Sequence, residues 1–281
     1  MNFLQTLTSK WTSYRYRFVP WLAFNLGGQA KVQTITKVED ILQKDALRPS
    51  ATLTSLLSQF QSCATSLTDD ASMCRELHNT NQDILYRTAG FTVERRPSSL
   101  GADVGDGIFV GKAKDKHVQP GQIVALYPGS IYQPYHSIFF QSIGNQFIFR
   151  CADGCMIDGK DTGISGMIFR SGEGRDRIGH PDGLMRCADS SWTFSAEPVN
   201  PLNVGQYVNN ANDEYPANVA YCELDVPSDF PVELRCLLPN VNFEMIAIDG
   251  KRDLKMIALV TTTEICQGDE LLSSYFTLVE Y

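Results

Sequence analysis

Apolar residues recur at helical spacing in the first part of the chain. Trp11, Tyr14, Phe18 and Leu22 follow one another at intervals of three or four residues, which predicts an amphipathic helix. Pro20 falls inside this pattern and is expected to kink or restart the helix, because proline lacks the backbone N–H that a helix interior needs. The N-terminal region is therefore predicted to be helical.

Two more amphipathic helices are predicted over residues 50–67 and 70–87. Thr68, Asp69 or Asp70 is placed to cap the second helix, since a short polar side chain there accepts from the free N–H groups of the first turn. The apolar positions predicted to face inward are Leu53, Leu56, Leu57, Phe60, Ala64 and Leu67 in the first helix, and Met73, Leu77, Ile84 and Leu85 in the second.

The pattern changes at Phe91, where short β-rich runs begin to alternate with glycine and proline. Because no long helix separates these runs, small twisted sheets are favoured over a parallel α/β sheet, and the boundary with the helical region is predicted between Thr88 and Arg96. Asp249-Gly250 predicts a hairpin between the last two runs. The runs occupy residues 91–95, 107–111, 122–127, 145–150, 218–226, 243–248 and 255–263.

Composition and charge argue against a general nucleic-acid binder. The 281 residues are 43% hydrophobic, enough for one large domain or two small ones, and their formal charge is −8 with a pI near 5.0. Residues 1–38 hold five basic residues and no acidic one, which leaves 19 basic and 32 acidic residues, or −13, in the rest. Direct nucleic-acid binding is therefore not expected.

Cysteine usage predicts a soluble intracellular protein. The eight cysteines have no disulfide-scaffold spacing, and the chain has no glycosylation sequon and no apolar run of about 20 residues. A nuclear or cytoplasmic location is expected, without a membrane span. The N-terminal segment with Arg15 and Arg17 among aromatic residues also resembles a mitochondrial targeting segment, and an alternative role is docking on an acidic partner. Targeting is disfavoured, because the segment lacks the several arginines at helical spacing that such signals carry.

Other chemistries find little support in the sequence. Cys151 and Cys155 have no second pair of ligands at metal-binding spacing, so buried thiols are expected and no metal is predicted. The four histidines form neither a zinc motif nor a catalytic triad. The arginine-rich segment 170–177 around Gly172-Glu173-Gly174 is predicted to be a solvated loop rather than an anion site.

Three short motifs carry the candidate chemistry. Gly105-Asp106-Gly107 precedes a strand, and its missing side chains let backbone amides approach a ligand, although such turns are more often tight hairpins. The segment 205–210 reads Gly-Gln-Tyr-Val-Asn-Asn, and taken alone it is more often a turn cluster than a ligand site. The segment 268–275 reads Gly-Asp-Glu-Leu-Leu-Ser-Ser-Tyr.

The order of these motifs resembles that of the SET-domain protein methyltransferases. Residues 205–210 are similar to the family's Arg-Phe-Ile-Asn-His, and residues 268–275 are similar to its Gly-Glu-Glu-Leu-X-X-X-Tyr. Residues 18–26, 137–145 and 170–179 further resemble one vertebrate subfamily of these proteins. The resemblance therefore covers nearly the whole chain.

The resemblance implies an α+β fold. It is a mainly β SET fold, built of small twisted sheets with a C-terminal pseudoknot and preceded by a helical N-terminal region. Residues 1–90 would form the helical region, and residues 91–278 the SET domain with an insert at about 160–200. The sequence ends six residues after Tyr275, so the zinc-binding lid of many relatives is not expected, and the insert is the candidate to close the channel.

The resemblance also implies transfer of a methyl group from S-adenosylmethionine to a lysine amine in a narrow channel. Tyr275 is the implied catalytic residue, and the acceptor would be a lysine-bearing protein or peptide bound by a monomeric enzyme. The implied cofactor-binding residues are Val104, Gly105, Asp106, Gly107, Asn209, Asn210 and Tyr275. The implied channel residues are Tyr127, Tyr207 and Ser273.

A second interpretation keeps the fold without turnover. Asn210, Ala211 and Asn212 stand where the family usually has His, Ser and Cys. The alternative is therefore a catalytically weak or inactive SET-fold binding module that recognises a protein partner.

Overall fold

A computed structural model describes residues 49–62, 69–181, 183–245 and 253–274. The helix predicted around Trp11 to Leu22, the hairpin predicted at Asp249-Gly250 and the predicted catalytic Tyr275 lie outside these residues. In the described part of the chain, no helix is both long enough and apolar enough to cross a membrane.

Among the residues that the structure describes, two helices precede β1: α1 spans Pro49–Leu57 and α2 spans Ala71–Thr88. Asp70 caps α2, as predicted, because its carboxylate accepts from the backbone N–H groups of Ser72 and Met73. The helix predicted over 50–67 ends at Leu57 instead. Its continuation is excluded at Gln61, whose backbone N–H and carbonyl both bind the Asn81 side chain of α2.

From Phe91 on, the described ranges contain short strands, two short α-helices and one longer α-helix. The short helices are α3, Phe139–Ser142, and α5, Val232–Arg235, and the longer helix is α4, Gly163–Arg175. The strands are β1 (Phe91–Pro97), β2 (Asp106–Ala113), β3 (His117–Val118), β4 (Ile123–Tyr127), β5 (Gly129–Tyr132), β6 (Ile148–Arg150), β7 (Met156–Asp158), β8 (Ile178–His180), β9 (Gly183–Met185), β10 (Asn209–Asn210), β11 (Val219–Val226), β12 (Asn240–Asn242), β13 (Leu254–Thr261), β14 (Ile265–Cys266) and β15 (Leu272–Ser273).

The strands form several small sheets, which confirms the predicted α+β class. A three-stranded sheet has the order β11-β13-β4, and a four-stranded sheet has the order β12-β5-β7-β6. Two-stranded pairs join β1 to β2, β3 to β14, β8 to β9, and β10 to β15. The last of these is parallel and pairs residues that are 63 positions apart in sequence. It therefore places two of the three sequence motifs side by side.

The strand predicted over 243–248 is wrong where the structure describes it. The strand in this region is β12, which ends at Asn242 and pairs in parallel with β5. The expected hairpin partner, β13, already has β11 on one edge and β4 on the other. Both edges of β13 are therefore paired, and residues 243–245, the described part of this run, form no strand.

The insert at about 160–200 contains α4 and the β8-β9 hairpin. The prediction of a solvated loop around Gly172-Glu173-Gly174 is wrong, since these residues belong to α4. Glu173 is buried and accepts from Arg177, with Arg186 also close by. Pairing of this kind offsets the cost of burying a carboxylate.

One continuous apolar cluster contains residues of the helical region and of the sheets. Leu53 and Leu57 of α1, Leu85 of α2, Val110 of β2 and Leu259 of β13 all belong to it. The helices preceding β1 therefore share a core with the β-rich part, while the division into residues 1–90 and 91–278 stays a prediction.

Candidate functional site

Residues 104–106, which we call the cofactor turn after their predicted role, lie at the surface where the chain passes from β1 into β2. Val104 is 42% exposed, and Gly105 has a φ of +87°, a left-handed conformation that favours glycine. The Gly105 carbonyl accepts from the backbone N–H of Ser98 at 2.9 Å, which closes the turn. Asp106 begins β2, and its Oδ2 accepts from Arg95 Nε at 2.7 Å.

The Gly-Asp-Glu-Leu motif lies along the edge of β2 that β1 does not occupy. The backbone N–H of Val110 donates to the Asp269 carbonyl at 2.9 Å, and the Gly268 N–H donates to the Val110 carbonyl at 2.8 Å. A further bond, 2.7 Å long, runs from the Leu271 N–H to the Ile108 carbonyl. These bonds place the Glu270 side chain next to the first residues of β2.

Glu270 is the centre of the site. The carboxylate accepts from Ser98 Oγ and from the Ser99 N–H, each at 2.8 Å, and from Asn209 Nδ2 at 3.0 Å; it also contacts Ser99 Oγ. Only 6% of Glu270 is exposed. Gly107 makes this approach possible, because a Cβ at position 107 would lie 2.1 Å from Glu270 Oε1.

These hydrogen bonds keep Glu270 ionised. Burial acts to raise the pKa of the carboxyl, but the bonds donated by Ser99, Asn209 and Ser98 stabilise the charged form and outweigh it. The pKa of Glu270 therefore lies below its ordinary value. A fixed negative charge thus sits directly behind the cofactor turn.

Asn209 joins the cofactor turn to this carboxylate. Its Nδ2 donates to the Asp106 carbonyl and to Glu270 Oε1, both at 3.0 Å. An amide nitrogen has two hydrogens, so these bonds use its full donor capacity. No described residue donates to Asn209 Oδ1, so this oxygen is the part of the side chain that can accept from a ligand.

The Asn209-Asn210 segment is bound firmly to the C-terminal motif. The parallel pairs are Asn209 with Leu272 and Asn210 with Ser273, and the Ala211 N–H donates to the Ser273 carbonyl at 2.8 Å. Asn218 adds two side-chain bonds: its Nδ2 donates to the Glu270 carbonyl, and its Oδ1 accepts from the Leu272 N–H, each at 2.8 Å.

The three predicted channel residues have different surroundings. Tyr207 is half-buried, donates to Asp161 Oδ2 at 2.7 Å and lies close to the cofactor turn through Arg95. Tyr127 is buried and donates to the Phe147 carbonyl at 2.9 Å. Ser273 is fully buried, with its Oγ 2.8 Å from Tyr221 Oη.

The structure therefore brings together most of the predicted site. Asp106, Gly107 and Asn209 meet directly, with Val104 and Gly105 in the adjoining turn, and Asn210 reaches the site through its strand pairing. Tyr275 lies just beyond the described residues, so its catalytic role stays a prediction, as does the channel role of Tyr127, Tyr207 and Ser273.

Sequence reasoning missed the role of Glu270 and of the residues that bind it. The sequence presents Glu270 only as one letter of a motif, and nothing in it marks Ser98, Ser99 or Asn218 as partners of this carboxylate. The one signal in the sequence is an acidic residue directly before the apolar pair 271–272 and two residues after a glycine. That pattern does not tell which partners the carboxylate has.

One cluster of possible metal ligands occurs among the described residues. Cys151, Asp153 and Glu223 place ligand atoms within 4.8 Å of one another. Lys255 Nζ lies 3.1 Å from Asp153 Oδ2 and 2.8 Å from Asp225 Oδ1, so an ammonium already supplies the positive charge there. Burial raises the pKa of the Cys151 thiol, which favours the neutral form.

The chain is similar to curated SET-domain proteins over nearly its whole length. A scan against models of known protein families gives no match. Human SET domain-containing protein 9 is 38% identical over 305 aligned positions, covering 98% of each chain. SET domain-containing protein 9 of Pongo abelii is 48% identical over 198 residues, covering 70% of this chain and 68% of that protein. With the SET-type motifs meeting in one site, the chain belongs to the SET-domain family, as a relative of SET domain-containing protein 9.

Proposed function

We propose that this protein is an S-adenosylmethionine-dependent protein-lysine N-methyltransferase. The observation that carries the proposal is the contact of the exposed cofactor turn with Asn209 and, behind it, with the buried, ionised Glu270. Membership of a family whose members are generally methyltransferases supports it. The acceptor class and the catalytic Tyr275 are part of the proposal.

The residues present suit S-adenosylmethionine chemically. The cofactor is a cation at its sulfonium and also carries an ammonium, so the negative charge of Glu270 favours its binding over that of a neutral ligand. Asn209 Oδ1 and the backbone of residues 104–106 are the groups that would bind its polar end. When bound, S-adenosylmethionine supplies a methyl group on a positively charged sulfur that needs no acid catalyst to leave.

The chain's own task is to deliver a neutral amine in line with that methyl group. At pH 7 only about one lysine in 2,500 is neutral, a deficit of about 4.6 kcal/mol. A narrow apolar channel next to a positive charge disfavours the ammonium form and offsets part of this deficit. Tyr275 would orient the amine, and alignment is the main source of rate enhancement for such a reaction.

The product of the reaction depends on the room around the amine. Ser273 stands two residues before Tyr275, where the family often has an aromatic residue that limits methylation. Its side chain is small, buried and bound to Tyr221. The number of methyl groups transferred is therefore a separate measurement from activity itself.

A second candidate is a SET-fold binding module without turnover. The loop after Asn210 favours it, because Asn212 serves the turn rather than a ligand: its Oδ1 accepts from the N–H groups of Glu214 and Tyr215, at 2.9 and 2.8 Å. Ala211 contributes a backbone bond to Ser273 and offers no polar side chain.

Transfer of radiolabelled methyl from S-adenosylmethionine into cell lysate proteins and lysine peptides tests the proposal. The expected result is lysine-linked label that Tyr275→Phe abolishes, since this variant keeps the ring and removes only the hydroxyl. Cofactor binding without methyl transfer to any protein pool would favour the binding module and contradict the proposed enzymatic activity.

A further inference from the structure

Four side chains form a chain of contacts from the insert to the cofactor turn. Tyr207 Oη donates to Asp161 Oδ2 at 2.7 Å. The Arg95 guanidinium carbon lies 3.6 Å from the centre of the Tyr207 ring. Arg95 Nε donates to Asp106 Oδ2 at 2.7 Å. We call Asp161, Tyr207, Arg95 and Asp106 the relay.

Each contact of the relay strengthens the next. A phenol that donates to a carboxylate has more electron density in its ring, which increases the ring's attraction for a guanidinium above it. Arg95 held over the ring is oriented to bind Asp106. All four residues are only partly exposed, so solvent screens these interactions less than on an open surface.

Tyr207 remains a hydrogen-bond donor over the physiological range. Burial and the hydrogen bond to Asp161 both raise the pKa of the phenol, and the positive charge of Arg95 opposes them only in part. The direction of the bond between Tyr207 and Asp161 is therefore fixed, with the hydroxyl donating to an acceptor carboxylate.

The position of Asp161 follows that of α4. Asp161 stands two residues before the helix, and a Cβ at Gly166 would lie 2.1 Å from the Asp161 carbonyl oxygen. The segment that carries Asp161 is therefore in close contact with the first turns of the helix. A displacement of α4 would therefore move the carboxylate that Tyr207 binds.

We propose that Asp161 is a positioning residue through which the insert controls the cofactor turn. The inference rests on the proposed function, in which the turn binds S-adenosylmethionine, and on the sequence-based expectation that the insert closes the acceptor channel. When a segment of the acceptor protein binds against the insert, the affinity of the turn for the cofactor changes through Tyr207 and Arg95. Because coupling between two binding sites is reciprocal, cofactor binding changes the affinity for the acceptor segment by the same factor.

Calorimetric titration of S-adenosylmethionine into the full chain tests the relay without needing turnover. Tyr207→Phe keeps the ring and removes the hydroxyl, and Asp161→Ala removes its acceptor. Each is expected to weaken cofactor binding about 5-fold or more, the lower end of common coupling energies. The double variant is expected to bind no more weakly than the worse single variant, because both changes break the same contact.

Two further variants separate positioning from general damage. Asp161→Asn keeps an acceptor oxygen and is expected to restore most of the affinity lost in Asp161→Ala. Arg95→Lys keeps the charge beside Asp106 but loses the planar stacking on Tyr207, so its cofactor affinity is expected to match that of Tyr207→Phe. This variant therefore still tests the relay if one of the other variants folds poorly. Tyr86→Phe, on α2 outside the relay, is the matched control and should bind as the wild type does.

The outcomes are distinguishable from those of the proposed function. Wild-type cofactor binding with unchanged affinity in Tyr207→Phe and Arg95→Lys would overturn the relay and leave the proposed function standing. Strictly additive losses in Tyr207→Phe and Asp161→Ala would overturn it as well. Failure of the wild type to bind the cofactor would remove the proposed function, and the relay's role with it.

Discussion

Gly107 and Glu270 are in such close contact that no side chain fits at position 107. An ideal Cβ there would lie 2.1 Å from Glu270 Oε1, inside the hydrogen-bond network that the carboxylate makes with Ser98, Ser99 and Asn209. The second glycine of the Gly-X-Gly motif is therefore explained by packing against the C-terminal motif. The first, Gly105, is explained by its positive φ.

Gly107→Ala is expected to displace Glu270 and destabilise the fold by about 1–3 kcal/mol, the usual cost of adding a methyl group to a packed site. Urea unfolding measures the loss of stability. Gly174→Ala is the matched control, because a Cβ there meets nothing within 4 Å and the residue lies in α4. It should be neutral or slightly stabilising; an equal loss in both variants would refute the packing explanation.

Asn218→Ala is expected to loosen the attachment of residues 270–272 to the segment directly before β11. The substitution removes the bonds to the Glu270 carbonyl and the Leu272 N–H, at a cost of about 1–3 kcal/mol for the partners left without a bond. Hydrogen exchange should show faster exchange in residues 268–274 than in α2. Asn212→Ala, which changes only the exposed turn at Glu214 and Tyr215, should leave exchange in 268–274 as it is. Unchanged protection in Asn218→Ala would contradict the role assigned to this amide.

His78 is expected to make stability depend on pH. Its Nδ1 lies 2.8 Å from the Pro198 carbonyl, an acceptor only, so this nitrogen donates. Burial lowers the pKa of His78 below its ordinary 6.5, outweighing the Pro198 bond and the nearby charges of Glu197 and Asp189. Protonation therefore occurs more readily in the unfolded chain.

The stability that neutral His78 contributes is fully present above pH 6.5 and is lost as the pH falls from there toward the folded-state value. The slope cannot exceed about 1.4 kcal/mol per pH unit for one proton. Urea midpoints at pH 7.5 and 5.5 measure it. The wild type should lose more stability than His78→Gln between these values, whereas equal losses would show that His78 titrates alike in both states.

Much of the fold followed from local patterns. The Asp70 cap and the α2 face depend on residues close in sequence, and β1, β2, β11 and β13 match runs that β-rich composition marks. The end of α1 at Leu57 could not be predicted, because it depends on Asn81 binding Gln61 from another helix. Both edges of β13 are likewise paired by distant strands, and residues 243–245 do not form the strand that their sequence predicts.

The contacts of the site were only partly predictable from the sequence. Asp106, Gly107 and Asn209 were expected to act together, and they meet. The Glu270 network was not expected, because Ser98, Ser99 and Asn209 reach it from 61 to 172 residues away. The relay from Asp161 to Asp106 was hidden for the same reason, since its contacts join separate elements of the chain.

The central claim is that the cofactor turn, Asn209 and Glu270 form a binding site for S-adenosylmethionine. Titration calorimetry of the full chain measures this directly. We expect one site with a dissociation constant of about 1 µM to 1 mM, the range of enzyme affinities for substrates, and binding about 10-fold or more weaker in Glu270→Gln. Glu264→Gln, which changes an exposed carboxylate, should bind as the wild type does. The proposed site would be contradicted if the wild type did not bind S-adenosylmethionine at several times the upper limit of this range, or if Glu270→Gln bound it with equal affinity.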